Sequence, residues 1–567
     1  MKRENQSQNR GKQNRSVDII DLDRSTKQNR QNTTRKSQSQ ERNHASTRTT
    51  SKTSGKTPGS EEHSEYNSSK RTSRFSAGIG RRGAAGTTSA KSIRKKSGRN
   101  TEFAIVAYIF MALFLILIAY FIYFQVFKSD EVINNAYNPR LQLYAEHIIR
   151  GDIESADGKT LATTKVSGDG TQTREYPYKN LFAHAVGFDS NGMSGIELQA
   201  NFSLLRSHSF FAEQLVNDLK DEKNQGDTVI TTLNYEVQKA ASDALGDNRG
   251  AVVVLQPSTG KILAMVSKPD FNPNTIQDNW DDIVSDDSST VLLNRATQGL
   301  YPPGSTFKIV TTLEYIRENG KNNTFSFDCN GKVEVNGVTI HCYGNKSHGQ
   351  EDLATAFAKS CNGAYSTIGL GLDLNKYADL TSDLLFNQDL PTTVTSSKSR
   401  FSLGSDAGTS EIMQTAIGQG STLVTPLHMA MIAAAIDNKG VLMKPYILDH
   451  VENDGGFTVK SWKSSEYGSL MSEDEASYLQ TLMQGVVADG TGTKLSGQSY
   501  QAAGKTGSAE YGNDGKSHGW FVGYGSKEGY DDIAIAVIVE DGDSGSASAV
   551  PVTKKVFDKY FNLNNKK

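Results

Sequence analysis

The sequence predicts an α+β fold in which strands from two distant parts of the chain share one sheet. Three observations predict it. Gly250-Ala-Val-Val-Val-Leu255 and Ile262-Leu-Ala-Met-Val266 are β-rich runs around a turn containing Pro257 and Gly260. Far along the chain, Trp520-Phe-Val-Gly-Tyr524 and Ile533-Ala-Ile-Ala-Val-Ile-Val539 read as two more strands, followed by a helical tail from Val552 to Phe561. The segments between are mostly helical, including Thr425 to Ile436. Strands, an inserted helical region, then strands again is the order of an α+β domain whose two ends meet in one sheet.

Taken from the N-terminus, the first element is a charge block. The chain has 567 residues with 61 Lys plus Arg against 63 Asp plus Glu, yet residues 1–100 hold 24 basic and only 8 acidic side chains. A formal net charge of −2 therefore hides a positive head and a negative remainder. Runs such as Gln6 to Arg15 are Ser, Asn, Gln, Lys and Arg with almost nothing apolar to bury, so residues 1–100 are expected to be disordered. The tail has no aromatic interleaving and no finger-like spacing, and no nucleic-acid partner is expected for it.

Next comes a run from Phe103 to Phe127 with no Lys, Arg, Asp or Glu in it. At about 1.5 Å per residue it is long enough to cross a hydrocarbon layer of about 30 Å as a helix. A buried core helix has no need of that length, so residues 101–127 are expected to span a membrane. Ser92-Ile-Arg-Lys-Lys-Ser-Gly-Arg99 precedes the span, while Asp130 and Glu131 follow it. Positive charge stays inside, which puts the tail in the cytoplasm and the rest of the chain outside.

Residues 128–225 are mixed: His147 to Ile153 reads as a strand, Ala156 to Lys159 as a turn and Leu204 to Leu219 as partly helical. No cluster of reactive side chains falls there. Thr228 to Leu233 reads as a strand and Tyr235 to Leu245 as a helix, opening the region that carries the chemistry.

In that region Pro302-Pro-Gly-Ser-Thr-Phe-Lys308 turns into the apolar run Ile309 to Ile316, which places Ser305 at a helix start and Lys308 one turn on. A serine hydroxyl needs a neighbouring base to become a nucleophile, and a lysine serves once its pKa is lowered by burial or a second cation. Ser-x-x-Lys alone is weak: the tail holds Ser92-Ile-Arg-Lys95, Ser7-Gln-Asn9 and Lys96-Ser-Gly98, in the wrong order and on the wrong side of the membrane. The weight comes from an ordered set, Ser305-x-x-Lys308, then Ser360-Cys361-Asn362, then Lys505-Thr506-Gly507-Ser508. A positive Lys505 close to Lys308 would depress the Lys308 pKa, as a base requires.

Cys329 and Cys342 flank a hairpin-like stretch, Val333 to Ile340, with an Asn-Gly turn; outside the membrane they are compatible with a disulfide or with two free thiols. His341 and His348 lie nearby, but the Cys/His spacing matches no usual zinc site. Cys361 reads as a small buried apolar residue. A serine nucleophile activated by a lysine needs neither metal nor cofactor, and none is expected.

The ordered motifs, and a likeness running from about Asn138 to the C-terminus, resemble a class B penicillin-binding protein, a monofunctional peptidoglycan D,D-transpeptidase. Arg150 to Ala162, Arg174-Glu-Tyr-Pro177, Ala183-His184, Gly195-Ile-Glu197, Leu293 to Gly304, Ile417-Gly-Gln-Gly420 and Trp520-Phe521 resemble the family's landmarks. Ser508 stands where Thr is usual, and Gly519 where Ala is more usual. The resemblance implies a penicillin-binding/β-lactamase-like serine transpeptidase domain over 226–567, with a central antiparallel sheet and a helical subdomain. Before it come a mixed pedestal (dimerisation-like) domain over 128–225, one transmembrane helix and the tail.

It also implies roles. Ser305 would attack the penultimate D-Ala carbonyl of a stem peptide ending in D-Ala-D-Ala, Lys308 would take its proton, and Ser360 and Asn362 would relay a proton and hold the peptide. Lys505 and Thr506 would meet the terminal carboxylate within the Lys505-Thr506-Gly507 element, and the N–H groups of Ser305 and Ser508 would form an oxyanion hole. β-Lactams would trap Ser305, and a membrane glycan polymerase would be the partner. The motifs leave the acceptor open, so a D,D-carboxypeptidase or β-lactamase-like hydrolase is the alternative within enzymes. A non-catalytic scaffold or β-lactam sensor is the alternative outside them.

Overall fold

A computed structural model describes residues 98–128, 144–220, 222–322, 324–511 and 516–563. The expected disorder of the tail falls outside the described residues. Helix α1, Gly98–Phe127, contains the stretch Thr101–Phe124, within which an 18-residue window has a mean hydropathy of 2.8 and is not buried. A helix apolar on every side and unburied among the described residues has the length and composition of a membrane span.

The main sheet has five antiparallel strands, β1 (Gly250–Leu255), β2 (Ile262–Lys268), β3 (Gln501–Tyr511), β4 (Lys516–Ser526) and β5 (Ile533–Val539), in the order β3-β4-β5-β1-β2. The two ends of the region do share it, as the strand pattern predicts. Lys505-Thr506-Gly507, expected beside the final strands, lies on the edge strand β3 itself.

Alternation along each strand divides the core in two. Val252 and Val254 of β1 and Ile535 and Val537 of β5 pack with Val237, Ala241 and Leu245 of helix α2 (Tyr235–Leu245) and with the C-terminal helix Ala549–Tyr560. Ala251, Val253, Ala534 and Ala536 face the other way, into the larger core that contains the Pro426–Asp437 helix. That helix is buried from Pro426 to Ile436, which explains its lack of any polar stripe. Thr425 caps it, accepting from the His428 N–H, with Pro426 at the first turn.

The N-terminal region differs from the sequence reading in one strand. His147 to Ile153 is not continuous; Ile148–Ile149 and Ile153–Glu154 are separate short strands in different sheets. The break falls at Gly151, where a Cβ would lie 1.9 Å from the Asp227 carbonyl oxygen, so the chain crosses another backbone at contact distance. Beside it, Arg150 and Arg174 both donate to the fully buried Glu197, through Nε at 2.8 and 2.7 Å. Three charged landmarks of the sequence are thus one ion cluster.

Thr228–Thr231 pairs in parallel with Ile153–Glu154 and antiparallel with Leu448–Glu452, inside a six-stranded sheet that Thr458–Ser461 also joins. This sheet takes strands from both sides of the 225/226 line, including two from far along the chain.

Candidate active site

Ser305 sits in a single 3-10 turn, Gly304–Phe307, that runs straight into helix α3, Lys308–Asn319. The turn is fixed from three sides. The Gly304 N–H donates to the Gly418 carbonyl at 2.9 Å, and Trp520 Nε1 donates to the Pro302 carbonyl at 3.0 Å. Gly304 has φ +52°, and a Cβ there would lie 2.7 Å from the Ser508 carbonyl oxygen, so the serine turn is pressed against β3.

The second element meets it from the side. The helix Leu353–Ala358 and helix α4 (Asn362–Gly371) are joined by Lys359, Ser360 and Cys361, with Ser360 in the left-handed region at φ +60°. A non-glycine residue held there is strained, a cost found most often at functional sites. The conformation turns both the carbonyl and the hydroxyl of Ser360 to the lysines. Lys308 Nζ donates to Ser360 O at 2.8 Å, to Ser360 Oγ at 3.3 Å and to Asn362 Oδ1 at 2.8 Å. Lys505 Nζ donates to the same Ser360 Oγ at 2.8 Å and to Thr506 O at 3.1 Å. Asn362 Nδ2 donates to His341 O at 2.9 Å, which fixes its amide.

Both lysines are fully buried, and that decides their electrostatics. Burial pushes Lys308 down to about 8, against the Cys361, Cys342 and Glu351 side chains, which favour its charged form. Burial first, and then the positive charge of Lys308, hold Lys505 well below the ordinary lysine value. Dehydration is thus the leading cause of the lowered pKa at both lysines, and repulsion between the two charges works in the same direction.

Ser305, Ser360, Asn362, Thr506 and Ser508 line one cleft, so the structure brings the three sequence elements together. Gly507 lies beneath, where a Cβ would meet the Pro303 carbonyl oxygen at 3.0 Å. Sequence reasoning missed Thr491, whose hydroxyl lies 2.5 Å from that of Thr506. It also missed the company of Cys361: Cys329, Cys342 and His348 surround it, with Cys329 and Cys342 as free thiols 3.6 Å apart. The Asn-Gly turn was the available signal, since it folds Lys332–Val335 back on Val338–His341 and carries Cys342 toward the motif.

An edge strand bearing a lysine, a serine on a helix-leading turn under it, and a second serine bonded to two buried lysines define the penicillin-binding/β-lactamase-like class of domain. Comparison with known proteins agrees. Residues 250–558 match the penicillin binding protein transpeptidase domain, and residues 150–229 match the penicillin binding protein A dimerisation domain. The peptidoglycan D,D-transpeptidase PbpA of Mycolicibacterium smegmatis is 32% identical over 486 residues, covering 80% of this chain and 97% of that protein. The D,D-transpeptidase domain of a peptidoglycan glycosyltransferase from Eggerthella lenta superposes with a TM-score of 0.67 at 30% identity, covering 74% of this chain and 99% of that one. Penicillin-binding protein A from M. tuberculosis, solved as a penicillin G acyl-enzyme complex, gives 0.65 at 28% identity, covering 73% of this chain and 99% of that one. The chain belongs to the penicillin-binding protein transpeptidase family, as a class B member.

Proposed function

We propose that the chain cross-links peptidoglycan stem peptides by D,D-transpeptidation through an acyl ester on Ser305, and that β-lactams acylate the same residue. The observation that carries the reading is the double engagement of Ser360 Oγ by Lys308 and Lys505 within the cleft that Ser305 lines. Ser305 Oγ attacks the penultimate D-Ala carbonyl, and its proton passes to Lys308, whose pKa burial lowers to about 8, so that a minor neutral fraction able to accept it is present at physiological pH. The C–N bond to the last D-Ala breaks, and that amine takes a proton through Ser360, which both lysines contact. Asn362 holds the peptide, and Lys505, Thr506 and the backbone at Gly507 receive the terminal carboxylate. The pressing of the Ser305 turn against Ser508 favours their two N–H groups as the oxyanion hole, a donor pair worth about 3 kcal/mol or more per donor. An amine of a second stem peptide then attacks the ester and frees Ser305.

The apolar helix α1 and the basic run before it support a single-pass bacterial membrane protein with the tail in the cytoplasm and the site outside. A membrane glycan polymerase, which supplies strands to be cross-linked, is the partner such an anchored enzyme requires. The test of the acyl-serine is intact mass of the full chain in detergent after penicillin, beside Ser305→Ala. One drug molecule on the parent and none on the variant is expected; an unmodified parent, or an adduct that survives the substitution, overturns the assignment of Ser305.

A further inference from the structure

The cluster behind the second motif has the dimensions of a metal site. In a regular tetrahedron with metal–sulfur bonds of about 2.3 Å and metal–nitrogen bonds of about 2.05 Å, sulfurs lie about 3.8 Å apart and sulfur and nitrogen about 3.5 Å apart. Cys329 Sγ and Cys342 Sγ are 3.6 Å apart, Cys342 Sγ and Cys361 Sγ 3.8 Å, and Cys329 Sγ and His348 Nδ1 3.4 Å. All four ligand atoms fall within 4.8 Å of one another. A disulfide would use two of these groups at about 2.05 Å and leave the others with no such reason to converge.

Two further observations point to a cation. Glu351 is buried beside the cluster, 3.9 Å from His348 Nδ1, and neither of its carboxylate oxygens has a hydrogen-bond partner among the described residues. A buried carboxylate in that state is costly and calls for a partner in the cluster beside it. The backbone also builds the site in advance. The His348 N–H donates to Cys329 O at 3.2 Å, the Cys342 N–H to Gly331 O at 2.9 Å, and Ser347 Oγ to Cys329 O at 2.7 Å.

We propose that Cys329, Cys342, Cys361 and His348 bind one zinc ion in a tetrahedral Cys3His site that clips the 327–351 excursion to the Ser360-Cys361-Asn362 motif. Three thiols and one imidazole suit zinc over calcium or magnesium, which take oxygen ligands. Binding releases the thiol protons to solvent and involves no redox step. The site is closed, with four protein ligands and no open position, so its work is structural. It ties Cys361, and with it the strained Ser360 on one side and Asn362 on the other, to the hairpin whose His341 carbonyl holds the Asn362 amide.

The test uses the full chain in detergent, purified without chelator, with elemental analysis by mass spectrometry. About one zinc per chain is expected, falling about tenfold or more in Cys329→Ser and in His348→Ala. Because either variant can lose its fold, the wild type is also stripped with a strong chelator under reducing conditions and reloaded. All three cysteines are expected to alkylate in the stripped chain and to be protected after zinc is returned, and Co2+ in place of zinc is expected to give the intense visible spectrum of a tetrahedral thiolate site. A Cys329–Cys342 disulfide in the native chain overturns the proposal. So does a chain that takes up neither zinc nor Co2+, or zinc retained by both variants. None of these measurements uses acyl transfer, so they are independent of the proposed reaction.

Discussion

Lys308 has no exposed surface, and three hydrogen-bond contacts join it to Ser360 and Asn362. A buried cation with a lowered pKa works as a base only after it gives up its proton, so the second-order rate of acylation by penicillin is expected to rise with pH through about 8 and then level off. Stopped-flow acylation across pH 6 to 10 measures this, and a flat profile would remove Lys308 from the base role. Lys308→Met is expected to lower the rate by about 10²–10⁴-fold and to abolish that rise. At this scale the sequence was readable wherever chemistry is written into short spacing: Ser305 and Lys308 are three apart, and Ser360 and Asn362 two apart. The neighbours of Cys361 were only partly readable: the Asn-Gly turn signals the hairpin, but not that Cys329, Cys342 and His348 close on Cys361. Nor was the cause of the Lys308 shift, since burial is a property of the packed core and a nearby charge is the simpler inference from motifs.

The elements were legible where hydrophobic period was clean. Tyr235–Leu245 and Ile533–Val539 have the bounds their patterns predict, and the helix expected over 425–436 is Pro426–Asp437. Trp520 to Tyr524 is only the middle of β4, whose ends are polar or glycine and carry no strand signal. The serine turn is set by a neighbour with no reactive group. Gly418 has φ +78°, and a Cβ on it would lie 2.0 Å from the Gly304 carbonyl oxygen. Gly418→Ala is therefore expected to cost about 1–3 kcal/mol and to slow penicillin acylation about tenfold or more by moving the Ser305 turn off β3. Thermal unfolding and acylation kinetics of the same preparation check this; wild-type values in both would mean the turn is held by other contacts.

Across the whole molecule, the pedestal stands on a buried ion cluster and a sheet drawn from distant segments. Burial pushes the Glu197 carboxyl up, but Arg150 and Arg174 outweigh it and hold it below the ordinary carboxylate value. Its stabilisation is present above the unfolded carboxylate pKa and is lost as pH falls through the lower folded value. Glu197→Ala leaves two guanidinium groups in a dry interior and is expected to destabilise the fold by about 3–5 kcal/mol, read as a lowered unfolding midpoint at pH 7. A variant as stable as the parent would show that solvent reaches the arginines. The membrane span and the α+β order were legible in composition and strand order; the shared pedestal sheet was not, because Leu448–Glu452 and Thr458–Ser461 carry no mark of which sheet they join.

That sheet sets a timetable for biogenesis. A chain synthesised from its N-terminus makes Thr228–Thr231 long before Leu448–Glu452, the strand that covers its flank. Until synthesis reaches that point, the growing chain presents an uncovered row of backbone donors and acceptors, a template for mispairing with any extended segment nearby. A molecule stalled partway through synthesis would thus be sticky rather than merely incomplete.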